Sequence, residues 1–436
     1  MTVFNSAQHV HFLGIGGIGV SALARMMLHK GKEVSGSERT LSRITADLAR
    51  AGARIHQGHS ADNITVAMDA IVYSPAIPND NPELMRAREL HIPVLTYPEA
   101  LGTVSENAYT VAVSGTHGKT TTTAMIADVL KHDVEPTVIV GSLLSSGRSN
   151  FVPGDERRFV VEACEYKRSF LSLTPSILVI TNIDTDHLDY YKDLTDIESA
   201  FRELAQKVPE HGFIVCDLDN SSTRRALRGS VATIVNYRAF YDPKRSLGVM
   251  GNHNQMNAAA THAVADIFGI DEKHINDVLK KFKGTWRRSE EKGKMASGVL
   301  VYDDYAHHPT EIKTTIAGFT ERFPERDLVV VFQPHLYSRT RTHFSEFAES
   351  FDRADRVLVA PIYAAREEDL PAQAGEGKVS HHELAEAMRK RNVRAESYES
   401  LGAAEEELVR SLSPDSLVLT MGAGDIYEIG EHLIAR

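Results

Sequence analysis

Two glycine-rich turns, each closing a β-rich run and opening a helical one, lie about a hundred residues apart at Gly14–Gly19 and Gly115–Gly118. An open parallel sheet carries one phosphate-binding turn at its switch point, so two such turns call for two separate domains. A third strand–helix series begins at Gly298 and ends in Gly422-Ala423-Gly424-Asp425. At ~150 residues per domain, 436 residues accommodate three. His9–Leu13, Ala70–Tyr73, Thr110–Val113, Phe159–Val161, Ser176–Ile180, Leu328–Phe332, Arg356–Ala360 and Ser416–Thr420 read as strands, and Ile18–His29 as a helix closed by Gly31. Pro309 suits a first helical turn, and Ser380 with Glu383 forms a capping box. Strands interleaved with helices mean crossover units and mostly parallel α/β sheets. The expected domains are 1–103, 104–285 and 286–436. The second boundary rests on Lys281–Lys294, a basic, polar stretch without apolar period.

Composition narrows the setting. A 42% hydrophobic, 25% charged chain is neither disordered nor fibrous. No apolar run approaches the ~20 residues of a bilayer-spanning helix, and Met1–Val10 lacks the pattern of a signal peptide. Two cysteines, Cys164 and Cys216, cannot build a disulfide framework, which suits the cytoplasm. A net charge of −11 offers nothing global to nucleic acid or an anionic membrane. A polyanionic ligand must therefore be met by local devices.

Gly14-Ile15-Gly16-Gly17-Ile18-Gly19 is the first such device. Glycines let backbone N–H groups approach a diphosphate, and the helix N-terminus adds about half a positive charge. Glu38 follows Gly19 by 19 residues, at the end of the strand starting at Glu33, where a dinucleotide fold places its ribose-binding carboxylate. Taken alone, the motif favours NAD and an oxidoreductase; another nucleotide diphosphate, or close helix–strand packing, also explains it.

The second turn, Ser114-Gly115-Thr116-His117-Gly118-Lys119-Thr120-Thr121, ends as a P-loop ends. Its backbone N–H groups cradle phosphates, Lys119 reaches the β/γ oxygens and the Thr120 hydroxyl is a Mg²⁺ ligand. The loop is two residues shorter than the general pattern, with Val113 where that pattern has glycine. Glu162 and Glu165 follow one strand; Asp184, Asp186, His187 and Asp189 follow the next. In a parallel sheet these ends open on the same edge as the loop. Hard oxygens with one imidazole suit Mg²⁺, or Mn²⁺, better than zinc. Asp193 and Asp196 read as helix caps, and Cys164 as a small buried side chain.

These residues, with Gly251-Asn252-His253-Asn254-Gln255-Met256-Asn257, Trp286-Arg287-Arg288, Asp303–Glu311 and Gln333–Thr340, resemble the Mur ligases of peptidoglycan synthesis along the whole chain and in order. The short loop Gly-Thr-His-Gly-Lys-Thr-Thr-Thr resembles that of this superfamily. Asp-Tyr-Ala-His-His-Pro resembles the branch that adds L-alanine to UDP-N-acetylmuramate, or its relative that recycles a murein tripeptide; the short C-terminal region favours the former. The resemblance implies an N-terminal Rossmann-like domain for the UDP-substrate, a central P-loop-type ATPase with a mostly parallel sheet, and a C-terminal Rossmann-like domain for the amino acid. The implied reaction activates a carboxylate with ATP as an acyl phosphate, which an amine attacks.

By the same resemblance, Gly14, Gly16, Gly17, Ile18 and Gly19 would hold the UDP diphosphate, with Ser37 and Glu38 near the uridine and Ser74 near the substrate. Gly115, Thr116, His117, Gly118, Lys119, Thr120 and Thr121 would cradle ATP. Thr120 and Glu162 would hold one Mg²⁺, and Glu162 and His187 a second. Lys119 and Arg288 would stabilise the transferring phosphoryl group. His253, Asn254 and Asn257 would meet adenine and its surroundings, and Asp303 the ribose. His335 and Arg339 resemble a clamp for the amino-acid carboxylate, with His307 or His308 close by. Leu336 stands where some relatives have arginine, and Glu38 where aspartate is common. The helix after His187 offers Phe201 and Arg202, so no carbamylated lysine is expected. His381-His382 reads as surface, residues 284–298 as a hinge, and the chain as a monomer or weak homodimer.

Overall fold

In the computed structural model, which describes residues 3–144, 149–367 and 379–436, the β-rich runs gather into three sheets. The first contains β1 (His9–Leu13), β2 (Glu33–Glu38), β3 (Arg54–Gln57), β4 (Ala70–Tyr73) and β5 (Val94–Thr96), all parallel, in the order β3-β2-β1-β4-β5. Chain order reverses at β1, so the crevice beyond β1 and β4 opens where the first glycine turn lies. All five β1 residues are buried, as a strand covered on both faces requires.

The second sheet holds β6 (Tyr109–Ser114), β7 (Pro136–Ile139), β8 (Phe151–Val152), β9 (Asp155–Glu162), β10 (Ile177–Ile180), β11 (Phe213–Cys216) and β12 (Thr233–Asn236), ordered β12-β11-β10-β6-β9-β7-β8. Among the described residues only the short edge strand β8 pairs antiparallel. β6 is flanked by β9 and β10, which brings both acidic segments beside the second glycine turn.

The third sheet comprises β13 (Glu290–Lys294), β14 (Leu300–Asp304), β15 (Asp327–Phe332), β16 (Arg356–Val359), β17 (Ala395–Ser397) and β18 (Ser416–Met421), ordered β13-β14-β18-β15-β16-β17. Alternate residues feed two cores: Leu328, Val330 and Phe332 one, Val329 and Val331 the other. The expected hinge at 284–298 is corrected in part. Glu290–Lys294 is an antiparallel edge strand on β14, where charged residues are suited because one edge faces water.

Met1–Lys244 with Met256–Lys280 forms one compact unit, and Arg245–Gln255 with Lys281–Arg436 a second. The first two sheets share a unit. There the fully buried Asn150 amide donates to Ser21 Oγ (2.8 Å) and to the Ile18 carbonyl, tying the segment before β8 to the first glycine helix. Lys30 pairs with Glu156 at 2.9 Å across the same seam. Among the described residues no helix is long and apolar enough to cross a membrane.

Candidate active site

The second glycine turn is shaped by what stands behind it. Gly115 has φ +132°, and a Cβ there would lie 2.0 Å from Thr181 Oγ1; at Gly118, with φ +83°, it would lie 2.5 Å from Asn257 Oδ1. Only glycine fits either place. The Asn182 amide brackets His117, accepting its N–H (2.9 Å) and donating to its carbonyl (3.0 Å). Thr116 Oγ1 accepts from Asp184 N–H at 2.8 Å, and His117 Nε2 lies 3.5 Å from Asp184 Oδ2. Gly118 opens the helix Lys119–Leu130, in which Thr120 and Thr121 are buried. Asn182 went unnoticed in the sequence, although it sits among the acidic residues that follow β10.

Lys119 Nζ donates to the carbonyls of Gly115 (2.6 Å) and Thr116 (3.0 Å) and lies 2.9 Å from each oxygen of Glu165. Burial works against both charges, yet each sustains the other. Glu165 keeps the lysine above its ordinary range, and Lys119 with His187 keeps Glu165 below the usual carboxylate value. Glu162 accepts from Thr120 Oγ1 (3.0 Å) and from Gly141 N–H (2.7 Å), which leaves it facing the threonine as expected. His187, at φ +57°, turns toward Glu165 instead: its Nε2 lies 3.6 Å from Glu165 Oε1. His187 thus stands beside Glu165, which is the carboxylate that joins the lysine to the histidine. His187 Nδ1 is buried without a hydrogen bond among the described residues.

Hydroxyl, carboxylates and one imidazole make a donor set fitted to a hard divalent ion. The glycine cradle fits phosphates. Cys164, expected to be buried, is exposed. Asp193 caps the helix Leu194–Ala205, accepting from Asp196 N–H.

At the first turn, Gly14 and Ile15 both donate N–H to the Ser37 carbonyl (2.9 and 3.2 Å), and Gly17 donates to Gly14 (3.0 Å). Gly16 N–H donates to Glu38 Oε2 at 2.8 Å, so Glu38 sits over the turn itself. A Cβ on Gly19 would meet the Tyr97 ring at 2.7 Å, and one on Gly14 the Ser74 Cβ at 3.3 Å. Ile18 begins the helix. Ser37 is not available to a uridine: it is fully buried, and its hydroxyl donates to Glu83 Oε2 at 2.6 Å. Its strand position points it into the sheet.

That inward face holds a polar network the sequence reading missed. Fully buried Glu83 also accepts from Asn63 (2.6 Å) and lies 3.0 Å from His59 Nδ1. His11 is pushed down to about 3 by burial and then by His56, and remains neutral. Histidines alternating with apolar residues in β1 were the available signal.

In the C-terminal unit, neighbouring arginines divide. Arg287, at φ +58°, is buried and donates to Asp303 Oδ2 (2.8 Å) and to the carbonyls of Gly424 (2.7 Å) and Gly422 (2.5 Å). Asp303 Oδ1 accepts from Thr420 at 2.7 Å, and the residue is wholly buried. The expected ribose contact by Asp303 is thus corrected: both its oxygens belong to the fold. Arg288 is partly exposed, with its guanidinium 5.1 Å from the Tyr305 ring centroid and 3.8 Å from Glu311.

His307, His335 and Arg339 converge. The two imidazoles are 5.8 Å apart, Arg339 Nη1 lies 3.1 Å from His335 Nδ1, and His335 stacks on Tyr363. His308 does not join them; it is buried and its Nδ1 caps the helix Pro309–Arg322 by accepting from Thr310 N–H. Buried Leu336, at φ +68°, starts the helix that carries Arg339. Within the helix Asn252–Ile267, Asn257 faces Gly118, whereas Asn254 is buried with its amide on the Met250 carbonyl (2.6 Å). The His253 ring packs against Gly251.

Three family models match the chain in sequence order: the Mur ligase family catalytic domain over residues 9–109, the Mur ligase middle domain over 113–242, and the Mur ligase glutamate ligase domain over 287–424. UDP-N-acetylmuramate–L-alanine ligase of Clostridium kluyveri is 39% identical, covering 98% of this chain and 98% of that protein. The enzyme of the same name from Clostridium acetobutylicum is also 39% identical, over 99% of this chain and 98% of its own. Among solved structures, UDP-N-acetylmuramate-alanine ligase of Thermotoga maritima superposes with a TM-score of 0.81 at 30% identity, covering 98% of both chains. A murein peptide ligase from Psychrobacter arcticus shares the fold, with a TM-score of 0.70 at 23% identity over 98% of both.

Proposed function

The chain belongs to the Mur ligase family, and from that membership we propose that it joins L-alanine to the lactyl carboxylate of UDP-N-acetylmuramate, converting ATP to ADP and phosphate. The observation that carries this is the convergence of Lys119, Thr120, Glu162, Glu165 and His187 on one glycine turn. In the first step a carboxylate oxygen bonds to the γ-phosphorus and the bond to ADP breaks, giving an acyl phosphate. In the second, the alanine amine attacks the acyl carbon, phosphate leaves, and the nitrogen gives up its surplus proton.

The difficulty of the first step is electrostatic. Two unit like charges ~4 Å apart repel by about 4 kcal/mol at an effective dielectric of ~20. Lys119 is held charged and aimed along the loop, where it offsets charge on the transferring phosphoryl group; Arg288 supports the same charge. Mg²⁺ held by Thr120, Glu162 and His187, with Glu165 beside them, would supply the remaining positive charge. Gly115, Thr116, His117, Gly118 and Thr121 surround the phosphates, and Asn257 approaches from its helix. Gly14, Gly16, Gly17, Ile18 and Gly19 receive the UDP diphosphate, with Glu38 and Ser74 at the turn. His307, His335 and Arg339 receive the amino acid. The domains on this reading are 1–103 for the UDP-substrate, 104–285 for ATP and 286–436 for the amino acid.

Mass analysis of the product from UDP-N-acetylmuramate, ATP, Mg²⁺ and an amino-acid mixture tests the assignment. The alanine adduct is expected. A tripeptide adduct formed in preference, phosphate release without both acceptor and amine, or hydride transfer with a nicotinamide would overturn it.

A further inference from the structure

The structure assigns a transition-metal site to His381, His382 and Glu399, on the surface of the C-terminal unit and outside the catalytic groups, selective for a zinc-like divalent ion. One ligand atom from each residue lies within 4.8 Å of the others. The spacing of His382 Nε2 and Glu399 Oε1, 3.3 Å, is the edge length of a tetrahedron with bonds of ~2.0–2.1 Å, the range for zinc on nitrogen and oxygen.

Local structure prepares the imidazoles. Ser380 caps the helix His381–Lys390, which fixes both histidines in its first turn beside the chain leaving β17. His382 Nδ1 lies 2.8 Å from Ser397 Oγ, so Ser397 orients the ring and leaves Nε2 to face Glu399. The His381 ring lies 3.9 Å from that of His382, and its buried Nε2 has no hydrogen bond among the described residues. Two imidazoles with one carboxylate favour zinc over magnesium, so this site and the oxygen-rich catalytic set differ in the ion they take. A bound ion would fasten the helix to the end of the edge strand β17.

Chelator-stripped full-length protein is dialysed against Zn²⁺ in the presence of Mg²⁺ and ATP, and bound zinc is measured against concentration. The native chain is expected to bind one equivalent more than His382→Ala, and His187→Ala to retain that equivalent. Ser397→Ala is expected to keep it with about tenfold weaker affinity, the effect of losing an orienting partner. Thermal melts establish that each variant is folded. Equal zinc uptake by the native chain and His382→Ala overturns the site, as does loss of the equivalent in His187→Ala.

Discussion

The Lys119 ammonium lies 2.9 Å from both oxygens of Glu165, a carboxylate that is 2% exposed. Removing one partner strands the other charge away from water. Lys119→Met is therefore expected to abolish turnover and also to lower stability by about 3–5 kcal/mol. The double variant Lys119→Met, Glu165→Gln should recover most of that stability and none of the activity. Urea unfolding with a product assay checks both; a single variant as stable as the native chain would refute the pairing.

Arg287 and Arg288 should separate cleanly. Arg287 spends its donors on Asp303 and two glycine carbonyls, so Arg287→Ala should cost about 3–5 kcal/mol of stability. Arg288→Ala should cost clearly less stability than Arg287→Ala, because its side chain is partly exposed. Its kcat should fall about a hundredfold, the range for a lost donor to transition-state charge. Unfolding and steady-state kinetics on the two variants decide it.

Arg339→Ala should raise the KM for L-alanine about 10–100-fold, since a hydrogen bond to a charged group contributes about 1.5–3 kcal/mol. The KM for ATP should stay put. Selective loss of ATP affinity would remove Arg339 from the amino-acid clamp.

Asp304 gives a pH dependence of definite sign. Burial pushes it up to about 6 against the pull of Arg288 and the N–H groups of Ala306 and Ser289. Its folded value exceeds the ordinary 3.8, so the stability it contributes is complete below about pH 3.8 and is lost as pH rises to about 6. That interval corresponds to about 3 kcal/mol. The stability of the native chain relative to Asp304→Asn should fall by that order between pH 4 and 6 and level off above. A flat difference would mean that Asp304 ionises as freely as an exposed carboxylate.

Periodicity and glycine placement made the scaffold legible. Ile18–His29 is the helix its apolar spacing announces, β1 and β4 have the expected bounds, and Pro309 and Ser380 start helices as their chemistry requires. The site was legible where one turn of chain carries it, as in Gly115–Thr121. It was not legible where distant segments decide. Nothing local tells Glu162 from Glu165 as the partner of His187; the Gly141 N–H and Thr120 do, by occupying Glu162. Asp303 reads as exposed polar chemistry until Arg287 and Thr420 are seen to enclose it. Ser37 and His308 likewise gave their side chains to a buried glutamate and to a helix cap. Residues 245–255 join the C-terminal unit through packing that no motif records.

Asn150 locks the first glycine helix to the segment leading into the central sheet. On the proposed function, that tie would set the distance between the turn that receives the UDP diphosphate and the loop that receives ATP, and the pair would work as a caliper. A nucleotide-linked acid whose carboxylate falls short of the span, or overshoots it, would be anchored at one end and inert at the other.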